Sequence, residues 1–182
     1  MAEQTASSIS VTGGEYFDIL NPAAYDYPIE VIANALSNIC RYTGHVDRFY
    51  SVAEHSVLVS KAITKKYALE GLLHDASEAF VGDVSSPLKK LLPEYQKIEE
   101  AVQEAIAKSF NLVYPFPHDV HEADKRLYWA ERATIAPGKD TLWHQELRAS
   151  RKVTPSGMSP IMAKRMFLAR YKELTSERKI AT

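Results

Sequence analysis

One stretch of the chain, residues 68–83 with the sequence ALEGLLHDASEAFVGD, changes character half-way along its length. Its first half is apolar at helical spacing, at Ala68, Leu69, Leu72 and Leu73. Its second half carries His74, Asp75 and Glu78, which a continuous helix would place on one side. Three such groups on the inner side of an apolar helix cost stability unless a metal ion or a substrate compensates them. Taken alone, the stretch is more typical of a polar patch on a surface helix, so a metal or substrate site needs support from the rest of the chain.

Apolar residues recur at helical spacing along most of the sequence. A first helix is expected from Pro28 to about Thr43, and Ser51 with Glu54 forms a capping box that begins the second. Further helices are predicted near residues 86–92, 94–110, 119–136 and 141–149 and from residue 159 onward. Since no stretch alternates as a β-strand does, the sequence predicts an all-α fold, a bundle of about six or seven helices.

Length and composition limit the class of protein. A chain of 182 residues suggests one domain, expected at residues 15–182 after a flexible N-terminal arm at residues 1–14. The net charge of -1 argues against a nucleic-acid partner. No apolar run approaches the roughly 20 residues that span a bilayer, and residues 1–14 do not resemble a secretory signal. Because Cys40 is the single cysteine, we expect a cytoplasmic protein without an intrachain disulfide.

Two more residues on inner helix faces extend the His74-Asp75 pair into a candidate metal site. His55 lies in the first turn of the predicted second helix, and Asp124 lies on the apolar side of a later helix. Two imidazoles and two carboxylates form a mixed nitrogen and oxygen donor set. Such a set suits a divalent Mn, Co, Zn, Fe or Mg ion and leaves positions open on a six-coordinate ion.

The order of these residues resembles that of the HD-domain phosphohydrolases: a histidine, a His-Asp pair and a distant aspartate, here His55, His74-Asp75 and Asp124. The local strings SVAEHS, LLHDASEAFVGDVSSPLK and EADKRL are similar to one branch of that family. This branch contains bacterial 5′-deoxynucleotidases and phage deoxynucleoside triphosphohydrolases that remove dATP. The resemblance implies a helical HD domain in which the four residues bind a divalent metal.

The resemblance also implies roles for further residues. Glu78 and Asp83 match acids that act on the attacking water, the leaving oxygen or the sugar. Four residues match positions that contact the substrate: Arg41, Tyr42, Lys89 and His121. The loop between Arg41 and His55 differs from the family pattern in length and composition, which leaves base specificity open.

The implied activity is hydrolysis of a deoxynucleotide phosphoester, with two alternatives. A triphosphohydrolase would release deoxynucleoside and triphosphate, and the similarity to phage enzymes favours this activity on dATP. A 5′-deoxynucleotidase would instead cleave deoxynucleoside monophosphates. A non-catalytic nucleotide sensor is a third possibility, which Glu78 and Asp83 argue against. The family resemblance also implies a homo-oligomer, either a dimer or a hexamer.

Overall fold

Helices account for most of the structure, a computed structural model that describes residues 4–135 and 155–181. The all-α prediction is confirmed. In chain order the helices are α1 (Ile29–Asn38), α2 (Val52–Ala62), α3 (Ala68–Leu73), α4 (Glu78–Val81), α5 (Ser86–Lys89), α6 (Pro93–Ser109), α7 (His118–Thr134) and α8 (Pro160–Ala181). Short 3₁₀ turns occupy Pro22–Ala24, Arg41–Gly44 and Lys65–Tyr67. The helix predicted at 141–149 lies outside the described residues.

A small hairpin near the N-terminus corrects the prediction that the chain has no strand. β1 (Ser8–Ser10) and β2 (Tyr16–Asp18) pair antiparallel, with Ile9 opposite Phe17. Three residues are too few for an alternating pattern to be recognised in the sequence. Phe17 is fully buried, and its ring centroid lies 4.3 Å from that of Phe80 in α4. Residues 8–10, inside the segment predicted as an arm, are thereby tied to the helical domain.

The first helix is shorter than predicted, since α1 ends at Asn38 and not near Thr43. Beyond it the chain is extended and pairs with the start of α2. The Arg41 N–H donates to the Tyr50 carbonyl at 2.9 Å, and the Val52 N–H donates to the Ile39 carbonyl at 3.1 Å. These bonds draw residues 39–41 out of the helix and place the following 3₁₀ turn beside α2.

Residues 68–80, predicted as one helix followed by a turn at 81–83, form α3 and α4 with a tight turn between them. The Glu78 N–H donates to the Asp75 carbonyl at 3.1 Å, three residues back, where an α-helix would bond four residues back. Gln103 of α6 supports the turn because it accepts from the Ser77 N–H at 3.0 Å and donates to the Leu73 carbonyl at 3.1 Å. The turn presents His74 and Asp75 beside α2.

Helix α2 lies at the centre of the domain and packs against α1, α3, α7 and α8. The Ser51 hydroxyl caps it by accepting from the Glu54 N–H at 3.1 Å. The Glu54 side chain does not complete the predicted capping box. It accepts instead from the backbone of residues 156–158. Because every neighbour of α2 contributes to the core, a side chain in its first turn is shielded from water.

None of the described helices is both long and apolar enough to cross a membrane.

Candidate metal centre and adjoining cavity

Two histidines and an aspartate from three parts of the fold meet at one point. His55 is fully buried in the first turn of α2, His74 directly follows α3, and Asp124 lies in α7. The Nε2 atom of His55 is 3.3 Å from the Nε2 of His74 and 3.1 Å from the Oδ1 of Asp124. One ligand atom from each residue lies within 4.8 Å of the others. This group could hold a metal ion.

Asp75 brings a second carboxylate to the same point. Its Oδ2 lies 3.2 Å from the Nε2 of His74 and 3.6 Å from the Nε2 of His55. Two ligands at right angles, each about 2.1 Å from an ion, are about 3 Å apart. The donor chemistry and spacings of His55, His74 and Asp124 therefore fit a shared cation, beside which Asp75 lies, and such an ion would also satisfy the two imidazole nitrogens that face each other. The structure thus brings together all four residues predicted as metal ligands.

The charges of the group depend on one another. Burial acts to lower the pKa of His74, but Asp75 and Asp124 outweigh it and raise that pKa well above its ordinary value. Burial acts to raise the pKa of Asp75, but His74 and His55 bring it down to about 2. Hydrogen bonds from the two histidines likewise lower the pKa of Asp124 against the effect of burial. Protons and a metal ion would therefore compete for the same imidazole lone pairs.

Glu131 belongs to the site, although the sequence analysis did not identify it. Its side chain is fully buried, and its Oε1 lies 2.5 Å from the Nδ1 of His55. Burial acts to raise the pKa of Glu131, but Arg41 and His55 lower it to about 2, so the carboxylate is ionised. The sequence spacing could have identified Glu131, because it follows Asp124 by seven positions on the same helix and therefore shares its inner face.

A cavity of about 830 Å³ opens beside the group, and both predicted catalytic acids line it. Glu78 is only 6% exposed, and its Oε2 has no hydrogen-bond partner among the described residues. Burial, then the charges of Asp75 and Asp83, raise the pKa of Glu78 well above its ordinary value. Burial also raises the pKa of Asp83, against the charge of Arg41. Glu78 therefore holds its proton more strongly than an exposed glutamate does, in the wall of this cavity.

Arg41 and Tyr42, two of the predicted substrate residues, also line this cavity. The two Nη atoms of Arg41 lie 3.4 Å from the Oδ2 of Asp75 and 3.3 Å from the Oε2 of Glu131. The Tyr42 hydroxyl donates to Glu131, and its ring centroid lies 6.2 Å from that of Tyr128. Their polar groups are thus bonded to the site itself, and the Tyr42 ring forms part of the cavity wall.

The other two predicted substrate residues differ in their placement. Lys89 lines both this cavity and a smaller one of about 310 Å³, and its Nζ forms an ion pair with the Oε1 of Glu99 at 2.7 Å. His121 lines the smaller cavity, together with His74 and Asp75, and not the larger one. His121 therefore approaches the metal group from a different side than Glu78 does.

Three residues on one face of α7 line the larger cavity without having been predicted. Lys125, Tyr128 and Arg132 follow one another at intervals of three and four residues, which places them along one face. Within the described residues, no ion pair or hydrogen bond engages the Lys125 or Arg132 side chain. Among the cations of the cavity, these two differ in this respect from Arg41 and Lys89, which are both paired.

Two bacterial proteins are similar to the chain. The uncharacterised protein YfdR of Escherichia coli (strain K12) is 36% identical over 168 residues, which cover 91% of this chain and 93% of YfdR. This chain belongs to the same family as YfdR. The uncharacterised protein RCAP_rcc00048 of Rhodobacter capsulatus is 34% identical over 122 residues, 62% of each protein. No family model matches the chain. Since both relatives are uncharacterised, the similarity assigns no activity to this chain.

Proposed function

We propose that the protein is a metal-dependent phosphohydrolase of the HD type that acts on deoxynucleotides. The observation that carries the proposal is the convergence of His55, His74 and Asp124, with Asp75 beside them, next to a cavity of about 830 Å³. Cavities of this size accommodate ligands as large as a nucleotide. The mixed donor set suits Mn, Co, Zn, Fe or Mg. Such an ion would supply Lewis acidity toward water and phosphoryl oxygens.

In this proposal Glu78 is the general acid. Water attacks the α-phosphorus, the bond between phosphorus and the 5′ oxygen breaks, and the leaving oxygen takes up the proton of Glu78, which is replaced by the proton that the attacking water loses. The raised pKa of Glu78 supports this role, since a carboxyl with a raised pKa keeps its proton to higher pH and can donate it. Asp83 lines the same cavity and is assigned to orienting the attacking water or the sugar.

The substrate we favour is a deoxynucleoside triphosphate, with dATP first by resemblance to the phage enzymes. Arg41 and Tyr42 would contact the nucleoside part, and Lys89 and His121 would contact phosphate. The pairing of Lys89 with Glu99 leaves less of its charge for a phosphate chain. Lys125 and Arg132, which form no ion pair with any of the described residues, support binding of the additional phosphates.

Chromatographic analysis of the products tests the proposal. Protein loaded with Mn, Co, Zn or Mg would be incubated with each dNTP, each dNMP and the ribonucleotides. Deoxynucleoside plus triphosphate from a dNTP is the expected result. Deoxynucleoside and phosphate from monophosphates alone would establish a 5′-deoxynucleotidase. No product from any substrate, combined with tight nucleotide binding, would refute hydrolysis in favour of a nucleotide sensor.

Substitutions connect the activity to the site. His55→Ala and Asp75→Ala are expected to fold and to lose both bound metal and activity, whereas Asp119→Asn, an exposed acid of the same helix as Asp124, keeps both. Full activity in either site variant would show that the chemistry occurs elsewhere.

We also propose that the protein is a cytoplasmic homo-oligomer, a dimer or a hexamer, without a nucleic-acid partner. The oligomer rests on the family resemblance, and the absence of a nucleic-acid partner rests on the net charge of -1. Light scattering coupled to gel filtration measures the mass directly, and a monomer at micromolar concentration would contradict the proposed homo-oligomer.

A further inference from the structure

The buried carboxylate of Glu131 is surrounded by hydrogen-bond donors from four side chains. Its Oε1 accepts from His55 Nδ1 at 2.5 Å and from the Tyr50 hydroxyl at 2.8 Å. Its Oε2 accepts from the Tyr42 hydroxyl at 2.5 Å and from Arg41 Nη2 at 3.3 Å. An ionised carboxylate accepts hydrogen bonds only, so every one of these partners has to donate.

This requirement decides which nitrogen of His55 carries a proton when the ring is neutral. Since Glu131 can only accept, the proton lies on Nδ1, and the lone pair lies on Nε2. Nε2 is the atom that faces His74 and Asp124. The ring is therefore held with its metal-binding nitrogen free and directed at the other ligands. Removal of a carboxylate that accepts a hydrogen bond from a ligating histidine typically weakens metal binding by about 10–100-fold.

The same carboxylate connects His55 to the wall of the larger cavity. Arg41 and Tyr42 both donate to Glu131 and both line that cavity. Tyr42 and Thr43 have φ angles of 58° and 55°, a left-handed conformation that costs energy in residues other than glycine. The hydrogen bond from Tyr42 to Glu131 is one of the contacts that hold this strained turn in place.

We propose that Glu131 is a positioning residue: it holds His55 as the Nδ1–H tautomer with Nε2 free for the metal, and it fixes the turn at Arg41 and Tyr42 against the metal centre. Glu131 is not itself a ligand, because His55 lies between it and the other ligand atoms. This inference rests on the proposed metal site.

The test compares two glutamine variants of fully buried glutamates. Gln at position 131 has one accepting oxygen and one donating nitrogen, so it cannot accept from both His55 and Arg41. Glu70→Gln is the matched control, because Glu70 is also fully buried and paired with an arginine, Arg178, but bonds away from the metal group. Zn²⁺ affinity is measured by competition with a chromophoric chelator. Glu131→Gln is expected to weaken it about 10–100-fold, and Glu70→Gln is expected to leave it unchanged.

A second measurement uses wild-type protein, so that it holds even if the Glu131 variant does not fold. In ¹⁵N-histidine-labelled, Zn²⁺-loaded protein, nuclear magnetic resonance should show His55 protonated at Nδ1 and metal-bound at Nε2. Zinc on Nδ1, or a folded Glu131→Gln variant with wild-type affinity, would overturn the inference. If the wild-type protein binds no metal, the proposed function fails. The metal-free protein, titrated until His55 is neutral, then still tests whether Glu131 keeps the proton on Nδ1.

Discussion

Replacing Glu78 by glutamine is expected to stabilise the metal-free protein and to lower the kcat of the metal-loaded protein. Glu78 is 6% exposed, its Oε2 lacks a hydrogen-bond partner in the described part of the chain, and burial with Asp75 and Asp83 raises its pKa. A carboxyl whose pKa is raised by folding costs stability once the pH exceeds its unfolded value, here 4.5. Below that pH both states are protonated and the cost disappears.

The magnitude follows from the burial. Glutamine keeps a polar group at this position but removes the ionisation, which at pH 7 relieves about 1–3 kcal/mol, since pH 7 lies about 2.5 units above 4.5 and each unit corresponds to at most about 1.4 kcal/mol. In a chain of 182 residues, about 1 kcal/mol changes the Tm by roughly 2–4 °C. The Tm of Glu78→Gln at pH 7 should therefore exceed that of the wild type by about 2–12 °C, and the difference should vanish near pH 4. Loss of a general acid lowers kcat by about 10²–10⁴-fold.

Glu54→Gln is the matched control, a second buried glutamate whose oxygens are both occupied. One oxygen of Glu54 accepts from the backbone N–H groups of Ser156 and Gly157 at 2.7 and 3.2 Å, and the other accepts from that of Met158 at 2.7 Å. An amide would place its own N–H against a donor, at a cost of about 2–4 kcal/mol. The assay is thermal unfolding in chelator at pH 7 and at pH 4, followed by the product assay with metal. A Glu78→Gln protein that is less stable than the wild type at pH 7, or fully active, would refute the reasoning.

Three further predictions concern the metal and the substrate. Because folding raises the pKa of His74, protonation of His74 stabilises the metal-free protein. This stabilisation is fully present below about pH 6.5 and is lost as the pH rises through the folded-state pKa. The Tm of the metal-free protein should therefore fall with rising pH. Metal at 100 times its Kd should add about 2.7 kcal/mol. By differential scanning calorimetry, Asp124→Asn should lose this gain and Asp119→Asn should keep it; an equal gain in both would contradict the ligand set. In steady-state kinetics, Lys125→Ala and Arg132→Ala should each raise the KM for a dNTP about 2–5-fold with kcat unchanged, and unaltered KM values in both would exclude them as phosphate contacts.

Helical periodicity predicted the fold class and the ligand set because both depend on local spacing. His55 follows a recognisable helix cap at Ser51, and Asp124 lies on an apolar helix face, so each could be placed on an inner side. The sequence could not show the break between α3 and α4. That break depends on Gln103, some 26 residues further along, which satisfies the backbone groups that the turn exposes.

Glu131 and the cations of α7 were missed for a related reason. Their spacing after Asp124 places them on defined faces of the helix, but their partners come from distant parts of the chain. Tyr50 and His55 reach Glu131 from 81 and 76 residues earlier in the sequence. A charged residue at helical spacing is usually a solvated one. Only the fold shows that the Glu131 carboxylate lies behind a histidine while Lys125 and Arg132 face a cavity.

Anomalous diffraction from crystals soaked in Zn²⁺ tests the central claim most directly, because it locates the ion without relying on activity. The account predicts a peak about 2.0–2.2 Å from the Nε2 atoms of His55 and His74 and from carboxylate oxygens of Asp75 and Asp124. A fully soaked crystal without a peak at this position, or with a peak only at another acidic cluster, would contradict the account.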